Sequence, residues 1–181
     1  MMIVQTFLAL VAAIPFATAF PTYHIPAAMY RVFLANDDCF MPEDFTVDNL
    51  VIWSPAADNQ NKAIINFNYA DVGTGISTAC HYNWTSVNVG PVGSTERWAC
   101  DDGNVQFIWQ SQVGTNGSLT LIEKACPQTS MSVKFEASGS IRPDLSCVAT
   151  DSNSTLGNGN ACVTQKTYDG KFTSLQPIQS L

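Results

Sequence analysis

The 181-residue sequence predicts an all-β fold, a single antiparallel β-barrel or sandwich stapled by disulfides. Three observations predict it. Short runs alternate apolar and polar residues with a period of two. Clusters of Gly, Pro, Asn and Asp punctuate those runs at close intervals. Six cysteines, an even number, occur in a chain whose first residues read as a secretory address.

The elements follow in chain order. Residues 1–19 carry no charge, are mostly apolar from Ile3 to Phe16, and end in Ala17-Thr18-Ala19. They read as a signal peptide cut before Phe20, and the apolar run is too short for a membrane span. Residues 20–44 form an N-terminal extension, with a short turn of helix around Ile25 to Leu34. Residues 45–181 form one β domain. Its first strand runs from Phe45 to Trp53, rich in β-branched and aromatic residues. Ile65, Phe67 and Tyr69 then alternate with Asn66 and Asn68, and Asp71 to Gly75 turns the chain. Cys80, Tyr82 and Trp84 alternate with His81 and Asn83, which points Trp84 inward. A short strand from Arg97 to Cys100 precedes Asp101-Asp102-Gly103, read as a hairpin turn in which Gly103 supplies a positive φ. Val105, Phe107 and Trp109 define the next strand, and Leu119 and Leu121 the one after it. Met131, Val133, Phe135 and Ala137 alternate with polar residues as a further strand. The polar stretch from Ser152 to Asn160 reads as an exposed loop.

Charge excludes several functions. Eight Lys and Arg stand against fifteen Asp and Glu, a net charge of −7. Nucleic acids and anionic membranes call for the opposite balance. Three Asn-x-Ser/Thr sequons, at Asn83, Asn116 and Asn153, fit an extracellular glycoprotein.

An oxidising compartment turns the cysteines into three disulfides. No C-x-x-C or H-x-x-x-H spacing favours zinc instead. Spacing leaves fifteen connectivities open. A local arrangement closes the two obvious excursions, Cys80 to Cys100 and Cys147 to Cys162. Cys39 and Cys126 are then left to tie the N-terminal segment to the body.

Catalytic chemistry is sparse. The two histidines are His24 and His81, and predicted cleavage leaves Phe20 rather than a histidine at the new N-terminus. That argues against a copper oxidase, and no G-x-S-x-G elbow supports a serine hydrolase. Asp37-Asp38, Glu43-Asp44 and Asp101-Asp102 are the visible carboxylate clusters. As pairs they could run glycoside hydrolysis, and Asp37, Asp38, Glu43 and Asp44 could hold calcium, but solvated loops and a turn account for them. No cofactor motif is present. Trp53, Trp84, Trp98 and Trp109 all fall on predicted strands, and Trp98 and Trp109 read as core.

Taken together, several features carry a resemblance. They are the strand ending at Cys80, the run Arg97-Trp98-Ala99-Cys100, the aromatic strand Phe107-Ile108-Trp109, the run Leu119 to Ile122, and Cys147 and Cys162 around a Gly/Asn loop. From Phe45 to Val163 the chain resembles the Alt a 1-like (AA1-like) secreted β-barrel proteins of fungi, which include allergens and elicitors of plant defence. The resemblance implies the pairs Cys80–Cys100 and Cys147–Cys162. It also implies a secreted, non-enzymatic protein that acts by binding a host or other extracellular protein. Two alternatives stand beside it: a barrel that binds a small apolar ligand, and an extracellular carbohydrate-active enzyme or carbohydrate-binding module.

Overall fold

The computed structural model of the chain describes residues 23–112, 115–129 and 134–178. The signal-peptide reading lies outside them, as do Met131 and Val133 of one expected strand. Among the described residues there is one helix, α1 (Ala27–Ala35). The strands are β1 (Asp44–Pro55), β2 (Ile64–Asp71), β3 (Ile76–Tyr82), β4 (Trp98–Ala99), β5 (Val105–Gln112) and β6 (Thr115–Ala125). They continue as β7 (Phe135–Ile141), β8 (Ser146–Thr150), β9 (Gly159–Val163), β10 (Tyr168–Lys171) and β11 (Ser174–Pro177).

All pairings are antiparallel, in two sheets. One runs β3-β2-β1-β9-β8, with β10 also on β1, and the other runs β11-β7-β6-β5-β4. At one seam a single bridge between Cys80 and Cys100 joins the sheets, and Asp101 N–H donates to the Ala79 carbonyl at 2.9 Å. At the other, Phe172 N–H donates to the Glu43 carbonyl at 2.8 Å and Thr173 N–H to the Ser138 carbonyl at 2.9 Å. The sheets do not close into a barrel; the fold is a two-layer sandwich.

Period-two patterning places the core between the layers. Ile65, Phe67 and Tyr69 of β2 are buried, as are Val105 and Phe107 of β5 and Leu119 and Leu121 of β6. Phe67 and Phe107 meet across the layers edge to face, with ring centroids 5.0 Å apart. Trp98 packs on Phe107 at 5.7 Å, and both Trp98 and Trp109 lie half-buried against the core.

The long β1 changes phase midway. Phe45 and Val47 point inward before Asn49, and Leu50 and Ile52 after it. Asn49 has φ 52°, and the register with β2 shifts between Asp48 and Val51. One extra residue swaps the faces, as a β-bulge does. Trp53 therefore lands on the outer face. It is 3% exposed yet stands outside the main core cluster. Its ring lies over Gly159, where a Cβ would come within 2.8 Å, and its Nε1 donates to Thr150 Oγ1 at 3.2 Å.

The segment before β1 is packed onto the sandwich. Met29 of α1 is fully buried, and Cys39 and Met41 are buried as well. Tyr23 Oη donates to the Pro42 carbonyl at 2.6 Å. Three disulfides join Cys39 to Cys126, Cys80 to Cys100 and Cys147 to Cys162. In the chain-entropy account they close loops of 87, 20 and 15 residues, and the longest constrains the unfolded chain most.

Three local expectations fail. Trp84 is 64% exposed, because β3 ends at Tyr82. The Asn83 side chain then accepts hydrogen bonds from Thr85 N–H at 2.8 Å and Thr85 Oγ1 at 2.7 Å, and this turn breaks the alternation. Gly103 does not take a positive φ. Asp102 makes that turn instead, accepting from Val105 N–H through its carbonyl at 3.0 Å and from Asn104 N–H through Oδ1 at 2.8 Å. Finally, the Ser152 to Asn160 loop stops two residues early, because Gly159 and Asn160 belong to β9.

Candidate functional site: an acidic cavity at one end of the sandwich

Two carboxylic acids lie inside the sandwich. Asp71, at the end of β2, is 1% exposed, and Glu123, in β6, is fully buried. Each occupies the inward phase of its strand: Asp71 continues Ile65, Phe67 and Tyr69, and Glu123 continues Leu119 and Leu121. Tyr69 Oη donates to Glu123 Oε2. Among the described residues Glu123 Oε1 and Asp71 Oδ2 have no hydrogen-bond partner.

Burial dominates the electrostatics here. It pushes the Glu123 carboxyl up from 4.5 to about 8, with the charge of Asp71 adding to the effect and the Tyr69 hydrogen bond opposing it. Glu123 is therefore mostly protonated at neutral pH. Burial also raises Asp71, against backbone N–H donors that favour its charged form. The phenols of Tyr69 and Tyr23 are held above their ordinary value, first by burial and then by the nearby carboxylates. Having no exposed surface, Glu123 cannot meet a substrate.

Asp71 links this pair to the surface. Its Oδ1 accepts from Gly73 N–H at 2.7 Å and Thr74 N–H at 3.2 Å. That fixes the β2–β3 turn and, with it, Val72 and Gly73 as one wall of a cavity of about 660 Å³. The volume is in the range of small-molecule sites. Phe45 and Ile141, both buried, lie deepest among its lining residues. Gly170, directly opposite Phe45 across β1 and β10, contributes no side chain, and a Cβ there would stand 2.3 Å from the ring. Glu43, Asp44, Asp169 and Lys171 stand around the opening. Lys171 Nζ pairs with Asp44 at 3.0 Å, both side chains well exposed. Among the described residues Glu43 and Asp169 have no ion pair. Burial, then Asp44 and Asp71, raise Glu43 above its ordinary value.

The sequence-predicted residues are scattered by comparison. Glu43 and Asp44 come to the cavity, whereas Asp37 and Asp38 sit exposed after α1. No group of three or more His, Cys, Asp or Glu side chains suited to a metal gathers among the described residues. His24 is exposed, and His81 lies on the outer face with Nδ1 2.8 Å from Asn66 Oδ1 and Nε2 3.8 Å from Asp101 Oδ2. Asn153 is exposed on the loop between β8 and β9, Asn83 is half-buried after β3, and the Asn116 side chain lies outside the described part of the structure. No helix among the described residues is long and apolar enough to cross a membrane. Sequence reasoning missed Asp71 and Glu123, although their place in the inward phase of β2 and β6 was a signal for both.

No family model matches the chain, and no curated protein matches it. The chain is similar to a crystal structure of the Alternaria alternata major allergen Alt a 1, at 12% identity and a TM-score of 0.46, covering 76% of this chain and 96% of that one. A second crystal structure of Alternaria alternata allergen Alt a 1 is similar at 12% identity and a TM-score of 0.47, covering 74% and 88%. Likeness at this level says nothing about activity.

Proposed function

We propose that this chain is a secreted, glycosylated, non-enzymatic binding protein, and that it binds a small, largely apolar ligand in the cavity beside β1 and β10. The observation that carries the reading is the cavity itself: about 660 Å³, lined by the half-buried Ala70 and the exposed Val72, with the core residues Phe45 and Ile141 at its base. The disulfides and the uncharged first nineteen residues support an extracellular setting. Asn153, exposed on the β8–β9 loop, is the glycan acceptor this reading favours first, with the half-buried Asn83 at its turn after β3 second.

Ligand-observed NMR with a set of aromatic and aliphatic fragments tests it. Fragments should bind the intact protein saturably and lose binding in Ala70→Trp, which fills the cavity from a half-exposed wall position. A set that binds neither protein, or both equally, overturns the cavity as the binding site.

A second reading, recognition of an extracellular protein, rests on the chain between β3 and β4. Trp84, Val87 and Val92 are 64%, 75% and 94% exposed there. The same segment is ordered by its own bonds: Asn88 Oδ1 accepts from Gly90 N–H at 2.8 Å and Arg97 N–H at 2.9 Å. Large apolar side chains held out on an ordered loop are a mark of protein contact. Capture of a partner that is lost in Trp84→Ser/Val92→Ser but kept in Ala70→Trp would favour this reading over the first.

A further inference from the structure

The two buried acids leave part of their bonding capacity unused at one point between the sheets. Among the described residues five buried side-chain atoms have no hydrogen-bond partner, and three of them are Asp71 Oδ2, Thr74 Oγ1 and Glu123 Oε1. Other interactions bring these three together. Asp71 Oδ1 accepts from Thr74 N–H at 3.2 Å, which keeps the Thr74 side chain beside the Asp71 carboxylate. The Thr74 hydroxyl lies close enough to the Glu123 carboxyl to favour its charged form, and the charge of Asp71 is felt there too. Yet no direct bond joins the three atoms. Buried polar atoms that face one another beyond bonding distance are where a bridging molecule fits. The nearby phenols are already engaged: Tyr69 Oη donates to Glu123 Oε2, and Tyr23 Oη donates to the Pro42 carbonyl.

We propose that a single water molecule is bound at this point inside the sandwich, hydrogen-bonded to Asp71 Oδ2, Thr74 Oγ1 and Glu123 Oε1, and that it ties the β2–β3 turn to β6 of the other sheet. Three polar partners are what a buried water ordinarily has. Donors and acceptors match. Glu123 Oε2 receives the Tyr69 hydroxyl, so the proton that Glu123 holds at neutral pH sits on Oε1 and is donated to the water. The water donates to the Asp71 carboxylate, and the Thr74 hydroxyl can take either part. Calcium is a poor match, because it takes about six to eight oxygens and one of the three oxygens here carries a proton. The Asp71 turn thereby gains a second hold. Oδ1 fixes it locally through the N–H groups of Gly73 and Thr74, and Oδ2 fixes it to the second sheet through the water. This site is separate from the cavity and does not depend on what the cavity binds.

A crystal structure of the disulfide-intact protein, at a resolution that shows ordered water, tests the proposal, with water relaxation dispersion as the measurement in solution. One fully occupied water should lie about 2.5–3.0 Å from each of the three oxygens. Relaxation dispersion counts internal waters that stay longer than the protein takes to tumble. Thr74→Val keeps the shape of the side chain and puts a methyl group in place of the hydroxyl, so it should lower that count by one. Thr74→Ser keeps the hydroxyl and should leave the count unchanged. Native chemical shifts away from the β2–β3 turn certify the fold of both variants. A crystal structure in which Glu123 Oε1 bonds Asp71 or Thr74 directly overturns the inference, as does one in which a cation ringed by oxygens occupies the place. An unchanged count in Thr74→Val overturns it as well, since no long-lived water would then depend on Thr74.

Discussion

At one end of β1, Phe45 lies over Gly170 of β10; at the other, Trp53 lies over Gly159 of β9. Both contacts need glycine, since a Cβ would come within 2.3 Å of the first ring and 2.8 Å of the second. The surroundings differ. Phe45 faces the second sheet, with the Phe172 ring 5.0 Å and the Tyr69 ring 6.1 Å away. Trp53 faces outward, seated on Gly159 of β9, bonded to Thr150 of β8 and flanked by the partly exposed Val51, Val148 and Val163. Carboxylates crowd the Phe45 end, but β8 and β9 carry no charged residue. One device, an aromatic ring seated on a glycine of a nearby strand, thus serves the core at one end and a satellite cluster at the other. Asn49 divides the two by moving the strand one residue out of phase.

Truncating each ring breaks this comparison most directly. Phe45→Ala should cost about 3–5 kcal/mol, the range for a large aromatic removed from a packed core. Trp53→Ala should cost less, about 3 kcal/mol or below, because it removes a ring that lies outside the core cluster, on Gly159, and a single hydrogen bond to Thr150. Urea unfolding of the two oxidised variants measures the difference. Equal losses would mean that the outer cluster is as much a core as the inner one.

The two ends should also differ in their response to pH. Folded Glu123 keeps its proton up to about pH 8, whereas an unfolded glutamate releases it near 4.5. Between those values the folded chain binds more protons than the unfolded one. The stabilisation is complete below the lower value and is lost as pH rises through the upper one. In mid-window the slope is about 1.4 kcal/mol per pH unit, or about 2 kcal/mol from pH 5.5 to 7. Asp71 and Glu43 are raised as well and add in the same direction. Urea midpoints should therefore fall across this range, and Glu123→Gln should flatten the fall without abolishing it. A midpoint that rises with pH in the unaltered protein would show Glu123 to be ionised in the fold.

How much of this was legible depends on what period-two patterning can carry. Ile65, Phe67 and Tyr69 announced β2 because every inward position held a large apolar residue. Asp71 continues the same phase, but a carboxylate beside glycines reads as a turn, and it does in fact make one. Glu123 was hidden for a related reason. Its strand position is inward, yet a sequence does not display the Tyr69 hydroxyl, contributed by the other sheet, that meets it. Trp84 misled in the opposite direction, since alternation extended past Tyr82 ignores the capping side chain of Asn83. The cavity was out of reach altogether. It combines Glu43 and Asp44 with Asp169 and Lys171, more than a hundred residues apart, through the β1–β10 pairing.

The smallest effect is expected at the divide itself. Asn49 sits at φ 52°, a region that glycine and asparagine enter easily and β-branched residues resist. Its exposed side-chain hydrogen bond to Asp48, at 3.2 Å, contributes little. Asn49→Gly should therefore change stability by a few tenths of a kcal/mol, and Asn49→Val should cost about 1–2 kcal/mol. The backbone cost alone does not show that the bulge positions Trp53; coupling does. If Val at this position pulls β1 back towards regular alternation, Trp53 loses part of its seat on Gly159 in the same step. The losses from Asn49→Val and Trp53→Ala should then sum to more than the loss in the double variant, by about 0.5 kcal/mol or more. The same cycle between Asn49→Val and Phe45→Ala gives the reference, because Phe45 precedes the bulge and keeps its face in either phase. Strict additivity in both cycles would show that the outward placement of Trp53 is held by β9 and the β8–β9 loop rather than by the bulge.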